Sequence, residues 1–379
     1  MTTKKEVIDK AKELGFDDIG FDDIGFTTAE AFMSQLEYID SEDKRYDWTI
    51  EAGLKLKESI YPDAVMEGAK SIIVLMNCYF HDYFPSSLTD YFGRCYVDDD
   101  RVTRDGLSQR IKAFRCYLRD KGINSKCSAS MPDKLAAARA GLGTFGKNAL
   151  FYASGCAMGS SWVNPIVVVI DYEFEADNPS VKNDCPDWCR NACVAACPTK
   201  ALKGNGKIEP SRCISYLTYY GNTLTPMELR EPMGMNIYGC DRCQVVCPRN
   251  QPWLAFAKPQ NEKINLKAPD FDLVKLLHMN REYFETRIWP HMFYMSYKDI
   301  WKWKMNVARA MGNSLDKKYV KHLVKAYNEN DDNRVKIMCA WALGRIGGVE
   351  AIKALNGFLS QASGDLKVEI DSAIRMCSE

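Results

Sequence analysis

The residues of this chain best suited to chemistry are cysteines, and they are concentrated in one stretch. Eight of the fifteen cysteines lie between Cys185 and Cys247. They form two runs, and each run closes with a Cys-Pro dipeptide, at Cys197-Pro198 and Cys247-Pro248. Two [4Fe–4S] clusters need eight thiolate ligands, so the number and grouping predict an iron–sulfur centre that carries electrons. The predicted ligands are Cys185, Cys189, Cys193, Cys197, Cys213, Cys240, Cys243 and Cys247.

The pairing of these ligands follows a rule of two-cluster ferredoxins, in which the last Cys of a Cys-Pro run binds the other cluster. The rule predicts one cluster on Cys185, Cys189, Cys193 and Cys247. It predicts the second cluster on Cys197, Cys213, Cys240 and Cys243. The first run has three residues in every gap, whereas the usual bacterial run has gaps of two, two and three. We therefore expect each extra residue to be absorbed by a bulge.

Disulfide bonds and structural zinc are the alternatives for these cysteines. Disulfides form in oxidising compartments, and the first residues, Met-Thr-Thr-Lys-Lys-Glu, do not resemble a signal peptide, so we expect a cytoplasmic protein. Structural zinc sites use pairs of Cys-x2-Cys and give no reason for two Cys-Pro endings. Iron–sulfur clusters explain the pattern best.

Composition narrows the class of protein. The chain has 379 residues, of which 46% are hydrophobic, enough for two or three domains. Lys plus Arg equals Asp plus Glu at 50 each, so the net charge indicates no general affinity for nucleic acid, although a local basic patch is allowed. No apolar run reaches the roughly 18 residues of a membrane span, so we expect no membrane partner.

Helix and strand patterns alternate through the first part of the chain, which predicts an α/β domain over residues 1–175. Two continuous apolar runs, at 71–79 and 163–171, predict buried strands. The other predicted elements are helices at 1–14, 103–121 and 134–141, and a strand near 123–129.

The rest of the chain divides into three predicted segments. Residues 176–255 carry the cysteines, and residues 256–300 are a connector rich in aromatic residues and Pro. From residue 301 to 379 the pattern is purely helical and contains Leu343-Gly-Arg-Ile-Gly347, the turn of a HEAT-like repeat. Such repeats predict a concave docking surface; the alternative is a helical cap with no partner.

One stretch resembles a known enzyme family. It reads Ala137-Ala-Arg-Ala-Gly-Leu-Gly143-Thr-Phe-Gly146-Lys-Asn148 and is similar to the epoxyqueuosine reductases, which are cobalamin-dependent iron–sulfur enzymes related to reductive dehalogenases. The similarity continues at Gly159-Ser-Ser-Trp162, at Cys197-Pro-Thr-Lys-Ala-Leu202 and at Cys213-Ile-Ser-Tyr-Leu-Thr218. It resumes at Tyr238-Gly-Cys-Asp-Arg-Cys-Gln-Val-Val-Cys-Pro-Arg-Asn250 and in the HEAT-like segment. It therefore covers nearly the whole chain.

The resemblance implies a fold and a set of cofactors. The fold is an α/β N-terminal domain of the reductive-dehalogenase-like, cobalamin-binding type, then a bacterial-ferredoxin-like domain with two [4Fe–4S] clusters, then α-helical HEAT-like repeats. It implies base-off cobalamin between the α/β domain and the clusters, and glycines would let the backbone approach that flat group closely. The alternative for the glycines is a plain strand–helix turn. The residues implied in cobalamin binding are Arg139, Gly141, Gly143, Gly146, Lys147, Asn148 and Trp162.

The resemblance also implies a reaction. A low-potential donor of the ferredoxin or flavodoxin type would supply electrons, which would pass through the clusters to cobalt for the reductive removal of an oxygen or a halide. Loss of oxygen as water needs a general acid. Family members carry an Asp ten residues before the Ala-Ala-Arg-Ala-Gly-Leu-Gly stretch, but the same count leads to Cys127 here.

Departures from the family are therefore concentrated at the substrate pocket. Asp133 is the nearest carboxylate and is the candidate acid, although it could equally be a residue favoured at a helix start. Tyr152 is a second candidate catalytic residue, and a closed cavity lined by Tyr152, Trp162 and Cys127 would favour a small-molecule substrate. The upstream Asp-Tyr-His segment of the family is replaced by Asp98-Asp-Asp-Arg-Val-Thr-Arg-Asp-Gly106.

These departures leave three hypotheses for the function. The first is a cobalamin-dependent reductase acting on a small oxygenated or halogenated molecule. The second is the reduction of epoxyqueuosine in tRNA with an altered acid, with the HEAT-like repeats helping to hold the tRNA. The third is an electron-transfer protein that reduces a corrinoid partner. A basic concave face on residues 301–379 would favour tRNA, and a closed cavity would favour a small molecule. The absence of any cavity would favour the electron carrier.

Overall fold

The structure is a computed structural model that describes residues 2–22, 41, 61–97, 106–127, 131–180, 182–291 and 295–377. The chain forms two compact units built from interleaved segments. The first unit contains Met1–His81, Arg104–Pro210 and Arg242–Pro259, and the second contains Asp82–Thr103, Ser211–Asp241 and Gln260–Glu379. The predicted two-cluster segment 176–255 therefore contributes residues to both units. Residues 98–105, which replace a family motif, lie outside the described residues.

The described strands all belong to the first unit, whereas helices occur in both. The strands are β1 (Asp18–Asp22), β2 (Ser71–Cys78), β3 (Ser125–Cys127), β4 (Gly143–Phe145), β5 (Phe151–Ala153) and β6 (Val163–Ile170). The helices are α1 (Lys4–Glu13), α2 (Pro62–Val65), α3 (Ser86–Thr89), α4 (Leu107–Asp120), α5 (Asp133–Arg139), α6 (Ala192–Ala196), α7 (Ile214–Tyr219), α8 (Met227–Arg230), α9 (Arg242–Val245), α10 (Gln251–Ala255), α11 (Glu262–Lys267), α12 (Leu273–His278), α13 (Arg281–Tyr283), α14 (Ile300–Ser314), α15 (Val320–Glu329), α16 (Asn333–Ile346), α17 (Val349–Leu359) and α18 (Gly364–Met376).

The first unit contains a sheet with the strand order β1-β2-β6-β3, in which all described pairs are antiparallel. All eight positions of β2 are buried, which explains its continuous apolar run. On one face, Ile73 and Leu75 pack with Phe114 of α4 and Val7 of α1. Helix α5 packs against β1, β2 and β6, and Ile72, which alternates with Ile73 along β2, is also buried. The strands predicted at 71–79 and 163–171 are confirmed.

The second unit is built around one large apolar cluster. The predicted connector supplies Leu276 and Phe284, and the HEAT-like helices supply Trp303, Met338 and Ile370. Helix α14 packs on α16, and α16 packs on α18, so the repeats form a layered array. The connector is therefore helical and shares its core with the repeats. Among the described residues, none of the helices combines the length and apolar character needed to cross a lipid bilayer.

A stripe of polar side chains along one face of α14 donates hydrogen bonds to backbone carbonyls of another segment of the second unit. Lys302 Nζ donates to the carbonyl of Tyr219 over 3.2 Å. One turn later, Asn306 Nδ2 donates to the carbonyls of Thr218 and Ile237 over 2.9 and 3.1 Å. The stripe continues with Arg309 and Asn313, whose side chains both donate to the carbonyl of Gly234.

This polar stripe of α14 (Lys302, Asn306, Arg309 and Asn313) has the i, i+4, i+7, i+11 spacing that places four side chains on one helix face. Its partner is the segment 218–237, which lies in sequence between Cys213 and Cys240. Part of the surface that the repeats offer is therefore occupied by a segment of the same chain. The repeats of the second unit thus hold the segment that connects two predicted cluster ligands.

Candidate iron–sulfur site

Two tight turns shape the first cysteine run and take up its extra residues. The Cys189 N–H donates to the carbonyl of Pro186 over 2.9 Å, which closes the first gap. Asn191 then has a left-handed backbone with φ 57° and ψ 42°, a conformation that Asn tolerates better than most residues. Its carbonyl accepts from the Val194 N–H over 2.9 Å as α6 begins. The longer spacing is thus accommodated by local turns.

The four ligands predicted for the first cluster lie close together in the first unit. Burial raises the pKa of the Cys193 thiol, and the negative charges of Cys247, Cys189 and Cys185 raise it further. Helix α6, which contains Cys193, packs against α9, which ends two residues before Cys247. The arrangement fits a cluster, whose thiolates bind four different irons.

The cysteines are free thiols in the structure. In the described ranges, no group of three or more His, Cys, Asp or Glu side chains is placed to hold a single metal ion. All fifteen cysteines lie in those ranges, and no disulfide joins any of them.

The remaining four predicted ligands are divided between the units, since Cys197 and Cys243 belong to the first and Cys213 and Cys240 to the second. Their grouping on a second cluster remains a prediction.

Hydrogen-bond donors point at three of the predicted ligand sulfurs. The Lys147 N–H donates to Cys185 Sγ over 3.3 Å, and the Ala201 N–H donates to Cys197 Sγ over 3.3 Å. The Tyr152 hydroxyl donates to Cys247 Sγ over 3.1 Å. Hydrogen bonds to the sulfurs are one of the ways in which a protein sets the potential of an iron–sulfur cluster.

The glycine-rich stretch brings parts of the first unit into close contact. A Cβ at Gly143 would lie 2.1 Å from the Tyr152 carbonyl, across the β4–β5 pair. A Cβ at Gly146 would lie 2.4 Å from the Tyr152 ring. Gly141 has φ 71°, and a Cβ there would lie 2.6 Å from the Asn178 carbonyl. Contacts within the chain therefore account for all three glycines, and their role in binding cobalamin remains a prediction.

Tyr152, Asn148 and Trp162 are buried within the first unit, where they contact other protein groups. Asn148 Nδ2 donates to the Tyr152 hydroxyl over 2.8 Å and to the Cys243 carbonyl over 3.4 Å. Burial strongly raises the pKa of Tyr152, and the nearby Cys247 adds to the effect. Trp162 is fully buried, with its ring centroid 5.2 Å from that of Phe80. Of the predicted site residues, Tyr152 and Asn148 are thus brought together at Cys247.

The other predicted site residues lie nearer the surface. Asp133 is the exposed first residue of α5, and its Oδ1 accepts from the Lys134 N–H over 2.7 Å. This position fits the alternative in which Asp133 favours the start of a helix. Arg139 and Lys147 are partly exposed. Cys127 ends β3, paired with Val168, and burial raises the pKa of its thiol.

Sequence reasoning assigned no role to three residues that hold the Cys243–Cys247 segment. Asn250 Nδ2 donates to the Gln244 carbonyl over 2.9 Å, and Gln244 Nε2 donates to the Ser161 carbonyl over 3.1 Å. The Arg249 guanidinium lies 4.3 Å from the centre of the Tyr152 ring. All three residues belong to the family-like motif 238–250. The sequence therefore marked them as part of the motif but did not indicate their contacts.

Comparisons with known proteins agree with this architecture. Residues 185–250 match a family described as "4Fe-4S double cluster binding domain", which supports two clusters, and residues 298–369 match "HEAT repeats". The epoxyqueuosine reductase of Listeria monocytogenes is 29% identical over 96% of this chain and 94% of its own length. That of Cyclobacterium marinum is 32% identical over 59% of this chain and 71% of its own.

A solved structure has the same fold over the full length of the chain. It is an epoxyqueuosine reductase with an epoxyqueuosine-modified tRNA-Tyr stem loop, and it has a TM-score of 0.78 at 24% identity over 99% of each chain. The fold, the two-cluster domain and the relatives agree with one another. This chain belongs to the epoxyqueuosine reductase family and is an oxidoreductase.

Proposed function

We propose that this protein is an epoxyqueuosine reductase that acts on tRNA. The observation that carries the proposal is the full-length similarity to the Listeria monocytogenes epoxyqueuosine reductase, which covers 94% of that protein. The similarly folded reductase with an epoxyqueuosine-modified stem loop supports tRNA as the substrate. Conversion of the epoxide removes one oxygen atom as water and consumes two electrons and two protons. The electrons would come from a low-potential donor through the clusters.

Cobalamin is part of the proposal because the family resemblance implies it. When bound, it would supply a reducible cobalt centre for removing oxygen from carbon. Of the seven residues predicted to hold it, Gly141, Gly143, Gly146, Asn148 and Trp162 are already engaged by contacts within the first unit. Arg139 and Lys147, which are partly exposed and cationic, are the residues that would hold its polar periphery. The predicted set therefore offers two cationic side chains to the polar groups of the cofactor.

Two residues are candidates for the acid that protonates the departing oxygen. Asp133 is exposed to solvent at the start of α5. Cys127 stands where the family has Asp, and its raised pKa keeps the thiol protonated at neutral pH. A general acid contributes about 10²–10⁴-fold to the rate. Asp133→Asn and Cys127→Ser should therefore separate the two, because only the variant that removes the acid loses that factor.

A second candidate function is reduction of a different, small substrate. It is favoured by one observation, the presence of Cys127 in place of the acidic residue of the family. Such a change at the site, with the fold and cluster domain retained, is one way in which a family member acquires a different substrate. The same assay distinguishes the two functions.

The test uses full-length protein reconstituted anaerobically with iron, sulfide and cobalamin, and dithionite as reductant. The substrate is tRNA that carries epoxyqueuosine, and nucleoside mass spectrometry follows the loss of one oxygen atom. We expect conversion that depends on cobalamin and is lost in Cys193→Ser but not in Cys116→Ser. Full iron and corrinoid loading without conversion would reject the tRNA substrate and favour a small molecule. Full iron loading without corrinoid binding would favour the electron-transfer protein.

A further inference from the structure

The hydroxyl of Tyr152 lies between a hydrogen-bond donor and a sulfur acceptor. Asn148 Nδ2 donates to the Tyr152 oxygen over 2.8 Å. The orientation of this amide is set by its other contacts, because Oδ1 accepts from the Leu150 N–H over 3.3 Å and Nδ2 also faces the Cys243 carbonyl at 3.4 Å. The Tyr152 oxygen therefore receives one hydrogen bond, and its own proton is directed to Cys247 Sγ at 3.1 Å.

The surroundings strengthen this hydrogen bond. Tyr152 is 1% exposed, Asn148 3% and Cys247 7%, so little water competes for the sulfur. Electrostatic interactions and hydrogen bonds are stronger in such a low-dielectric site. The ring is held by Gly146 on one side and faces the Arg249 guanidinium, so the hydroxyl has little freedom to turn away.

We propose that Tyr152 and Asn148 raise the reduction potential of the cluster bound through Cys247. Reduction adds one electron, supplied by the external donor, and the added negative charge spreads onto the ligand sulfurs. A hydrogen bond to Cys247 Sγ stabilises that extra charge and favours the reduced cluster. No proton is transferred, because Tyr152 keeps its proton in both states. The two residues are positioning residues that act through the Cys247 sulfur.

The proposal rests on the cluster-binding part of the proposed function and is independent of its tRNA substrate. A purely structural role is the alternative, because a buried Tyr usually finds a hydrogen-bond partner. The two roles differ in one measurable quantity. A structural Tyr would leave the reduction potential unchanged when its hydroxyl is removed, provided that the cluster is retained.

The experiment is an anaerobic redox titration of reconstituted full-length protein, followed by the EPR signals of the reduced clusters. Tyr152→Phe removes only the hydroxyl and keeps the ring. We expect one cluster to become harder to reduce, with a roughly tenfold fall in the ratio of reduced to oxidised cluster at fixed potential, or about 59 mV. Tyr172→Phe is the matched control, because its hydroxyl donates to the Thr2 carbonyl and contacts none of the predicted cluster ligands.

A second variant changes the potential in the opposite direction. Replacing Tyr152 with a fluorotyrosine keeps the shape and makes the phenol a stronger donor, so the same cluster should become easier to reduce. Unchanged potentials in Tyr152→Phe, at the iron content of the wild type, would overturn the proposal. If Tyr152→Phe does not retain iron, the fluorotyrosine protein decides, and an unchanged potential there overturns the proposal as well.

Discussion

Arg230 and Glu369 form a buried ion pair that joins the segment before Cys240 to the last helix of the repeats. Arg230 Nη1 lies 2.7 Å from Glu369 Oε1, and the two side chains are only 3% and 9% exposed. The Arg230 Nε also donates to the Thr225 carbonyl over 3.0 Å. The ion pair and the polar stripe of α14 contact the same segment. Two helices of the repeats, α14 and α18, therefore bind it.

Removing one partner of this ion pair should greatly reduce the free energy of unfolding. Glu369→Ala leaves Arg230 charged and buried without its counter-ion, which costs about 3–5 kcal/mol. Replacing both residues by apolar ones, as in Arg230→Met with Glu369→Leu, should restore much of the loss, because no buried charge remains. Urea unfolding under anaerobic conditions measures the effect. Glu285→Ala, which breaks the exposed pair with Arg281, is the control and should leave the midpoint unchanged. Equal midpoints for Glu369→Ala and the control would contradict the prediction.

The Asn306 side chain should contribute as much to the free energy of unfolding as the Arg230–Glu369 ion pair. It is fully buried and donates to two carbonyls, those of Thr218 and Ile237. Asn306→Leu keeps a similar volume but leaves both carbonyls without this donor, which costs roughly 2–6 kcal/mol at about 1–3 kcal/mol each. Asn356→Leu makes the same change on an exposed face of α17 and should have little effect. A small effect of Asn306→Leu on the urea midpoint would mean that water replaces the side chain.

The two-cluster segment and the central strands could be predicted from the sequence because each has a local signature. Cys185, Cys189 and Cys193 are marked by their spacing, and β2 and β6 by continuous apolar runs. The interior contacts of the site lack such a signature. The hydrogen bond from Tyr152 to Cys247 could not be read from the sequence, because the turn that brings Tyr152 there depends on the packing of Gly143 and Gly146.

The partners of the polar stripe of α14 also could not be predicted from the sequence. The spacing of Asn306, Arg309 and Asn313 is visible in the sequence and places them on one helix face. Their partners are backbone carbonyls between residues 218 and 237, and a carbonyl is present at every position of a chain. The sequence could therefore indicate which residues share a face but not which segment that face binds.

Gly143 should not tolerate a side chain. A Cβ there would lie 2.1 Å from the Tyr152 carbonyl, and the strand pair β4–β5 would have to open. Gly143→Ala should therefore destabilise the protein by about 1–3 kcal/mol, because an added methyl group has no room in this strand pair. Gly357→Ala is the opposite case, since nothing lies within 4 Å and the residue is in α17, where Ala stabilises a helix by roughly 0.5–1 kcal/mol. Thermal unfolding should move in opposite directions for the two variants.

Loss of one cluster ligand should remove about half of the iron. Cys193 is predicted to share a cluster with Cys185, Cys189 and Cys247, and a serine there is a poor ligand for iron. Cys193→Ser should therefore keep only the second cluster, as measured by iron analysis and Mössbauer spectroscopy after reconstitution. Cys116→Ser changes a cysteine of α4 outside the predicted ligands and should keep the full iron content. Equal iron in the two variants would show that Cys193 is not a ligand.

Lowering the pH should reduce the folding stability of the second unit, because His278 takes up a proton more readily when the chain unfolds. Its Nδ1 lies 3.2 Å from Glu329 Oε2, but burial lowers the pKa of His278, and Lys325 lowers it further. The pKa of His322, whose ring is 5.9 Å away, is also lowered. The unfolded chain, with an ordinary His pKa of about 6.5, binds a proton more readily than the folded protein, so stability is full above that pH and falls as the pH drops through it.

The measurement compares urea midpoints at about pH 7.5 and about pH 5.5. The fall on acidification should be smaller in His278→Gln, because that residue no longer takes up a proton on unfolding. It should also be smaller in Lys325→Met, because removing the nearby cation brings the pKa of His278 closer to its ordinary value. With four histidines in the chain, NMR of 13C-labelled histidine can follow each titration directly. A His278 signal that titrates above about 6.5 would reverse the sign and contradict the prediction.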